Sequence, residues 1–196
     1  MEPVTLLFFG SQGAGKGTQV KMLMDFLASK SDAPIVKIDM GAELRGLRDT
    51  GSYAGKLTGT VIDAGHRMPD FMPTYLQTKK LVDNLVTGKE HIIADGLARG
   101  EDQTRAFDDA MTFFGRTNFQ IISLELPEAT VIQRMLARGR NDDTEEGIRN
   151  RLGWYKTDVL PQLAMLEGRG RPVHHIDGEP DVETIHKNIL TALKLA

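Results

Sequence analysis

Val4-Thr-Leu-Leu-Phe-Phe9 runs straight into Gly10-Ser-Gln-Gly13-Ala-Gly15-Lys16-Gly17-Thr18-Gln19, and this junction decides the fold. The first segment is almost wholly apolar without alternation, which is the pattern of a strand buried on both faces of a parallel sheet. Beyond the junction, Val20, Leu23, Met24 and Leu27 recur at helical spacing. Between strand and helix lies a glycine-rich loop carrying a lysine. Glycines let the backbone curl so that several N–H groups converge on one phosphate chain, and the helix N-terminus adds its dipole. Lys16 supplies a mobile positive charge. Gly13, Ala14, Gly15, Lys16, Gly17 and Thr18 are therefore expected to cradle phosphates. The competing reading is an ordinary glycine-rich turn with a surface lysine.

Working outward, Ile35–Met40, His91–Ala94, Phe119–Leu126 and Val173–Ile176 read as further short strands, each followed by helical patterning. Helical stretches from about Ala42 to Val86 are interrupted at Gly51-Ser52 and again at Pro69, which suits the first turn of a helix starting near Asp70. Thr144–Glu167 is the longest helical pattern, with Ile148, Leu152, Tyr155, Val159 and Leu163 on one face. Asp142 and Asp143 are its candidate caps, and Pro161 is expected to kink it. Strands alternating with helices predict one α/β domain over 1–196, a five-stranded parallel sheet with helices on both faces.

Composition narrows the function classes. The 196 residues carry 24 Lys plus Arg against 27 Asp plus Glu, a net charge of -3, which excludes a generically basic nucleic-acid binder. Having no cysteine, the chain can build no disulfide framework, thiolate nucleophile or Cys-ligated zinc site. No apolar run approaches a membrane span, and Met1-Glu2-Pro3 lacks the basic start of a signal peptide. The expectation is a cytoplasmic protein with neither membrane nor nucleic-acid partner.

The glycine loop resembles the GxPGxGKGTQ loop of the adenylate kinase family of nucleoside monophosphate kinases. It matches at Gly10, Gly13, Gly15, Lys16, Gly17, Thr18 and Gln19, and departs at Gln12, where the family usually has proline. The likeness extends over nearly the whole chain. Asp95-Gly96-Leu97-Ala98-Arg99 resembles the family's DGFPR segment, with Leu97-Ala98 in place of Phe-Pro. The resemblance implies that Asp95 helps hold Mg²⁺ and that Arg99 grips the acceptor phosphate, beside Gly96. Gln103 stands where the family's glutamine reads the adenine of AMP. Met40-Gly41-Ala42-Glu43-Leu44-Arg45 resembles TGD-x-LR and implies an AMP-phosphate contact at Arg45, with Met40 replacing the threonine that faces the base. Ile62–Met68 resembles MDAGKLV, which implies AMP contacts at His66, Arg67 and Met68, largely through backbone carbonyls. Arg134, Arg138, Arg140, Asp142-Asp143 and Arg151 resemble the family's R-x-x-x-R … R-x-D-D … R-L pattern. Arg134 and Arg138 are thereby expected to bind ATP, and Arg140 and Arg151 to reach the transferring group. A solvated, salt-bridged helix face is the alternative for any one of these arginines.

The resemblance implies a P-loop NTPase-like three-layer fold with a small helical NMP-binding segment at about 39–68. The lid, at about 138–143, is pared to almost nothing. The implied activity is Mg²⁺-dependent phosphoryl transfer, ATP plus AMP to two ADP, with Lys16, Arg99, Arg134, Arg140 and Arg151 as the catalytic set. No general base is required, because an acceptor phosphate with a second pKa near ~6 is mostly dianionic at pH 7. A lid this small predicts that the 45–68 segment does more of the closing, or that a second copy of the chain assists. Two other readings are carried forward: a kinase with other or broader preference for CMP, UMP or GMP, suggested by Met40, and a nucleotide-binding regulatory module without catalysis, suggested by the short lid.

Overall fold

The computed structural model describes residues 1–139 and 143–195. Its centre is a five-stranded sheet of β1 (Thr5–Phe9), β2 (Ile35–Asp39), β3 (His91–Asp95), β4 (Gln120–Glu125) and β5 (Val173–Asp177), in the order β2-β3-β1-β4-β5. Every pairing is parallel. The strands are those expected from the apolar runs, with β2 ending at Asp39 rather than Met40.

All of β1 is buried, and its period of two sends Leu6 and Phe8 to one face and Leu7 and Phe9 to the other. Leu6 and Phe8 pack with Val20, Leu23 and Leu27 of α1 (Lys16–Lys30) and with Ile185 and Ile189 of α9 (Val182–Ala192). Leu7 and Phe9 pack in the opposite layer with Leu81 of α4 (Phe71–Asn84), Phe107 of α5 (Glu101–Phe113) and Leu163 of α8 (Leu160–Gly168). These are the three layers the strand–helix alternation predicts. Among the described residues no helix is long and apolar enough to cross a membrane.

Between β2 and α4 stand two short helices, α2 (Met40–Asp49) and α3 (Tyr53–Asp63). Asp39 caps α2 by accepting from the Ala42 N–H at 3.0 Å, and Ser52 caps α3 by accepting from the Gly55 N–H at 3.0 Å. The break at Gly51-Ser52 thus falls where expected. Pro69 lies just ahead of α4, whose first residue is Phe71, rather than inside its first turn.

The long C-terminal helical pattern is divided. It forms α7 (Glu145–Trp154), a π-helical turn over Tyr155–Val159 and then α8. Pro161 cannot donate an N–H to the preceding turn and its ring crowds the carbonyl four residues back, so the ladder widens just ahead of it. The cap of α7 is Thr144, which accepts from the Gly147 N–H at 3.0 Å. Asp143, expected as a cap, has other partners described below, and Asp142 lies outside the described residues. The remaining helix, α6 (Glu128–Arg138), follows β4 and faces the glycine loop.

Candidate active site

Parallel strands point their carboxyl ends the same way, and the crevice beyond those ends is where open α/β sheets bind ligands. Here the ends of β1, β2 and β3 carry Gly10, Asp39 and Asp95, with Asp39 and Asp95 directly paired in register. A cavity of about 420 Å³ opens above them.

The glycine loop forms one wall. Gly13 has φ +88°, and a Cβ there would stand 2.8 Å from Met135 Cγ of α6, so the loop can lie against that helix only without a side chain. Lys16 and Gly17 open α1, where N–H groups have no intrahelical acceptor and face the cavity. The Lys16 ammonium is buried and donates to the carbonyls of Gly10 at 2.7 Å and Ser11 at 2.9 Å. Burial lowers its pKa, opposed by the nearby Asp95 carboxylate. Ala14 buries its methyl in the core, donates its N–H to the Ser11 carbonyl at 3.2 Å and is not among the residues that line the cavity.

Arginines supply the other walls. Seven of them, among the described residues, line the cavity: Arg45, Arg48, Arg67, Arg99, Arg134, Arg138 and Arg151. Among the described residues, no carboxylate forms an ion pair with Arg45, Arg99 or Arg134. The Arg99 guanidinium lies over the Trp154 ring, 5.3 Å from its centroid. Arg67 pairs with Asp70 and, at 2.9 Å, with Asp158 of the π turn, so its side chain braces the segment as well as lining the cavity. Arg138 and Arg151 converge on the buried Asp143. Arg140 lies outside the described residues, as do 141 and 142 of the expected lid.

The far end of the cavity is less charged. Met40, Leu44, Ile62, Met68 and Pro73 contribute apolar surface, and His66 is exposed at the rim. Gln103 is fully buried there. Its Oε1 accepts from the Arg99 N–H at 3.1 Å, which fixes the amide orientation, and its Nε2 has no hydrogen-bond partner among the described residues.

Asp95 Oδ1 is also buried without a hydrogen-bond partner, and burial raises the pKa of its carboxyl, opposed by Lys16. Sequence reasoning missed Trp154, Asp158 and Asn150, which reach the site only because α7 and the π turn fold back over the 62–68 segment. It also misassigned Asp143, for which the two neighbouring arginines were the available signal.

A phosphate-cradling loop at the end of β1, a buried lysine, a lone unsatisfied aspartate and a wall of arginines define a P-loop phosphotransferase of the nucleotide kinase type. The chain belongs to the adenylate kinase family, whose model matches residues 8–170. It is 32% identical to adenylate kinase 1 of Synechocystis sp. over 189 residues, covering 96% of each chain. It is 31% identical to the adenylate kinase of Corynebacterium glutamicum over 188 residues, covering 96% of this chain and 98% of that one. The adenylate kinase of Leptospira biflexa is likewise 31% identical over 193 residues.

Proposed function

We propose that this chain is an adenylate kinase that transfers the γ-phosphoryl group of ATP reversibly to AMP. The observation that carries the reading is the convergence of Lys16 and seven arginines on one cavity whose lining, among the described residues, holds two carboxylates, Asp39 and Asp95. Bringing two polyanions into line is the difficulty of this reaction, and the charge on the transferring group must be neutralised as it moves. Always-charged, forked guanidinium groups suit that task better than ammonium groups do.

In this reading Gly13, Gly15, Lys16, Gly17 and Thr18 hold the ATP phosphates, with Arg134 and Arg138 of α6 on the same side. Arg45 and Arg99 grip the AMP phosphate, and Arg151 and Arg140 reach the group in flight. AMP's base occupies the apolar end beside Met40 and Met68, with Gly96 and the carbonyls near His66 and Arg67 completing the wall. The partnerless Nε2 of the buried Gln103 offers a donor that an adenine ring nitrogen can accept. The names of the relatives support AMP over the other monophosphates.

The donor set also fits Mg²⁺. Magnesium keeps several waters and takes one or two carboxylates plus substrate phosphates. Asp95, with its unsatisfied buried Oδ1, would hold the ion from the protein side. When bound, Mg²⁺ neutralises charge on the β- and γ-phosphates.

The 39–68 segment is the acceptor-binding unit in this reading, and 138–143 the reduced lid. Water exclusion then falls to the contact between the 62–68 segment and α7. A cytoplasmic setting and nucleotide-only partners follow from the same reading.

A coupled assay for ADP from ATP plus AMP, run with and without Mg²⁺, tests the proposal. Folded protein that binds ATP but makes no ADP would sink it in favour of a regulatory module. A CMP, UMP or GMP rate well above that with AMP would shift it to another monophosphate.

A further inference from the structure

Trp154 is the single tryptophan of the chain and touches two parts of the site that are far apart in sequence. Its ring lies against the Arg99 guanidinium at 5.3 Å, and its Nε1 donates to the Gly65 carbonyl at 3.0 Å. The seam around it is tight. Asn150 Nδ2 donates to the Ala64 carbonyl at 3.1 Å, and a Cβ on Gly65 would stand 2.7 Å from Gly147 Cα. Just beyond Trp154, Asp158 pairs with Arg67 at 2.9 Å.

We propose that Trp154 is a positioning residue for the acceptor half of the site: its ring face orients Arg99, and its N–H holds the Ile62–Met68 segment against α7. The proposal rests on the reading of this site as an adenylate kinase. Its physical core is how an arginine can be held still. A carboxylate partner would orient Arg99 but would consume its donors and offset its charge. An aromatic face fixes the guanidinium plane while leaving all five donors and the full charge for an incoming phosphate. Among the described residues Arg99 has no ion-pair partner, so the ring is the orienting contact the structure provides. The same indole closes on the segment whose next residues, His66 and Met68, line the acceptor end of the cavity. Gripping the phosphate and closing over the nucleotide are thereby coupled through one side chain.

Two variants separate the two contacts. Trp154→Phe keeps a ring against Arg99 and loses the donor to Gly65, whereas Trp154→Leu loses both. In steady-state kinetics, W154F is expected to raise KM for AMP about fivefold with KM for ATP within about twofold. W154L is expected to raise KM for AMP about twentyfold and to lower kcat as well. A general folding defect would move both substrates' KM together. Because no other tryptophan contributes, wild-type emission reports this site directly and is expected to change saturably on titration with AMP. Unchanged kcat and unchanged KM for AMP in folded W154F would overturn the proposal, and so would wild-type emission that saturating AMP leaves unaltered. Should the wild-type protein make no ADP at all, the adenylate kinase reading fails instead. Calorimetric AMP affinities of wild type and W154F then decide the positioning role, and equal affinities refute it.

Discussion

Arg151 donates through Nη1 to Asp143 Oδ1 at 2.9 Å, and the carboxylate that receives it is wholly buried. Arg138 reaches the same carboxylate through Nη2 at 2.7 Å and Nε at 2.9 Å. One aspartate thus holds together Arg138 of α6 and Arg151 of α7. Removing one partner of a buried ion pair costs about 3–5 kcal/mol, because charge is left uncompensated. Asp143→Ala should lower stability by about that amount in urea titrations, and added pyrophosphate should restore part of it by taking the carboxylate's place. A loss that pyrophosphate does not reduce would show that these arginines are not open to polyanions.

Ala98 has φ +52° and is completely buried, immediately before Arg99. A residue with a Cβ pays about 1–2 kcal/mol for the left-handed region, and glycine does not. Ala98→Gly is therefore expected to gain about 1 kcal/mol in a thermal melt. Ala98→Pro, which restores the family's residue, is expected to destabilise the protein and raise KM for AMP at least about tenfold. Proline's ring locks φ near −65° and cannot adopt the observed turn. An A98P protein as stable and active as wild type would refute the conformation at this position.

Gln103 accepts from the Arg99 N–H through Oε1 and has a partnerless Nε2. Gln103→Glu keeps the acceptor and removes the donor. A site built to donate a hydrogen bond rejects a ligand it can no longer satisfy. KM for AMP should rise about tenfold with KM for ATP unmoved. A rise for both nucleotides would mean that the substitution disturbs Arg99 or the loop rather than base reading.

Glu90 is buried, and its Oε1 accepts from the N–H of Val86 at 3.0 Å, the N–H of Thr87 at 2.7 Å and the Thr87 hydroxyl at 2.9 Å. These donors hold the carboxyl pKa down to about 2, against an ordinary 4.5, despite the opposing effect of burial. A pKa depressed in the folded state gives stability that is complete above the unfolded value and lost as pH falls through the folded one. Glu90→Gln should therefore cost about 1–3 kcal/mol at pH 7. That difference from wild type should shrink as pH drops from 4.5 toward about 2. Urea unfolding at pH 7 and pH 3 measures it, and a difference independent of pH would contradict the assignment.

Much of this site was legible in the chain. Gly13, Gly15, Lys16, Arg45, Arg99, Gln103, Arg134, Arg138 and Arg151 were expected in one site, and all of them line one cavity. They could be found because phosphate chemistry restricts which residue types can serve, and because short segments carry them at fixed offsets from strand ends. Trp154, Asp158 and Asn150 carry no such mark. Their roles depend on where α7 and the π turn come to rest, a long-range contact that no local pattern encodes. Asp143 failed for a related reason: an acidic residue before a helix looks like a cap until two arginines are seen to arrive from elsewhere.

The sequence by itself determined the phosphate loop, the five strands and the inventory of cationic groups, because local apolar periodicity and glycine placement dictate these. Only the tertiary structure decided how the inventory is divided. Asp143 engages Arg138 and Arg151, Asp158 draws Arg67, and Trp154 orients Arg99 without spending its charge. The net charge of -3 concealed a cavity lined by seven arginines. Net charge averages over the whole surface, whereas the field at a site depends on which side chains the fold brings within a few ångströms of one another.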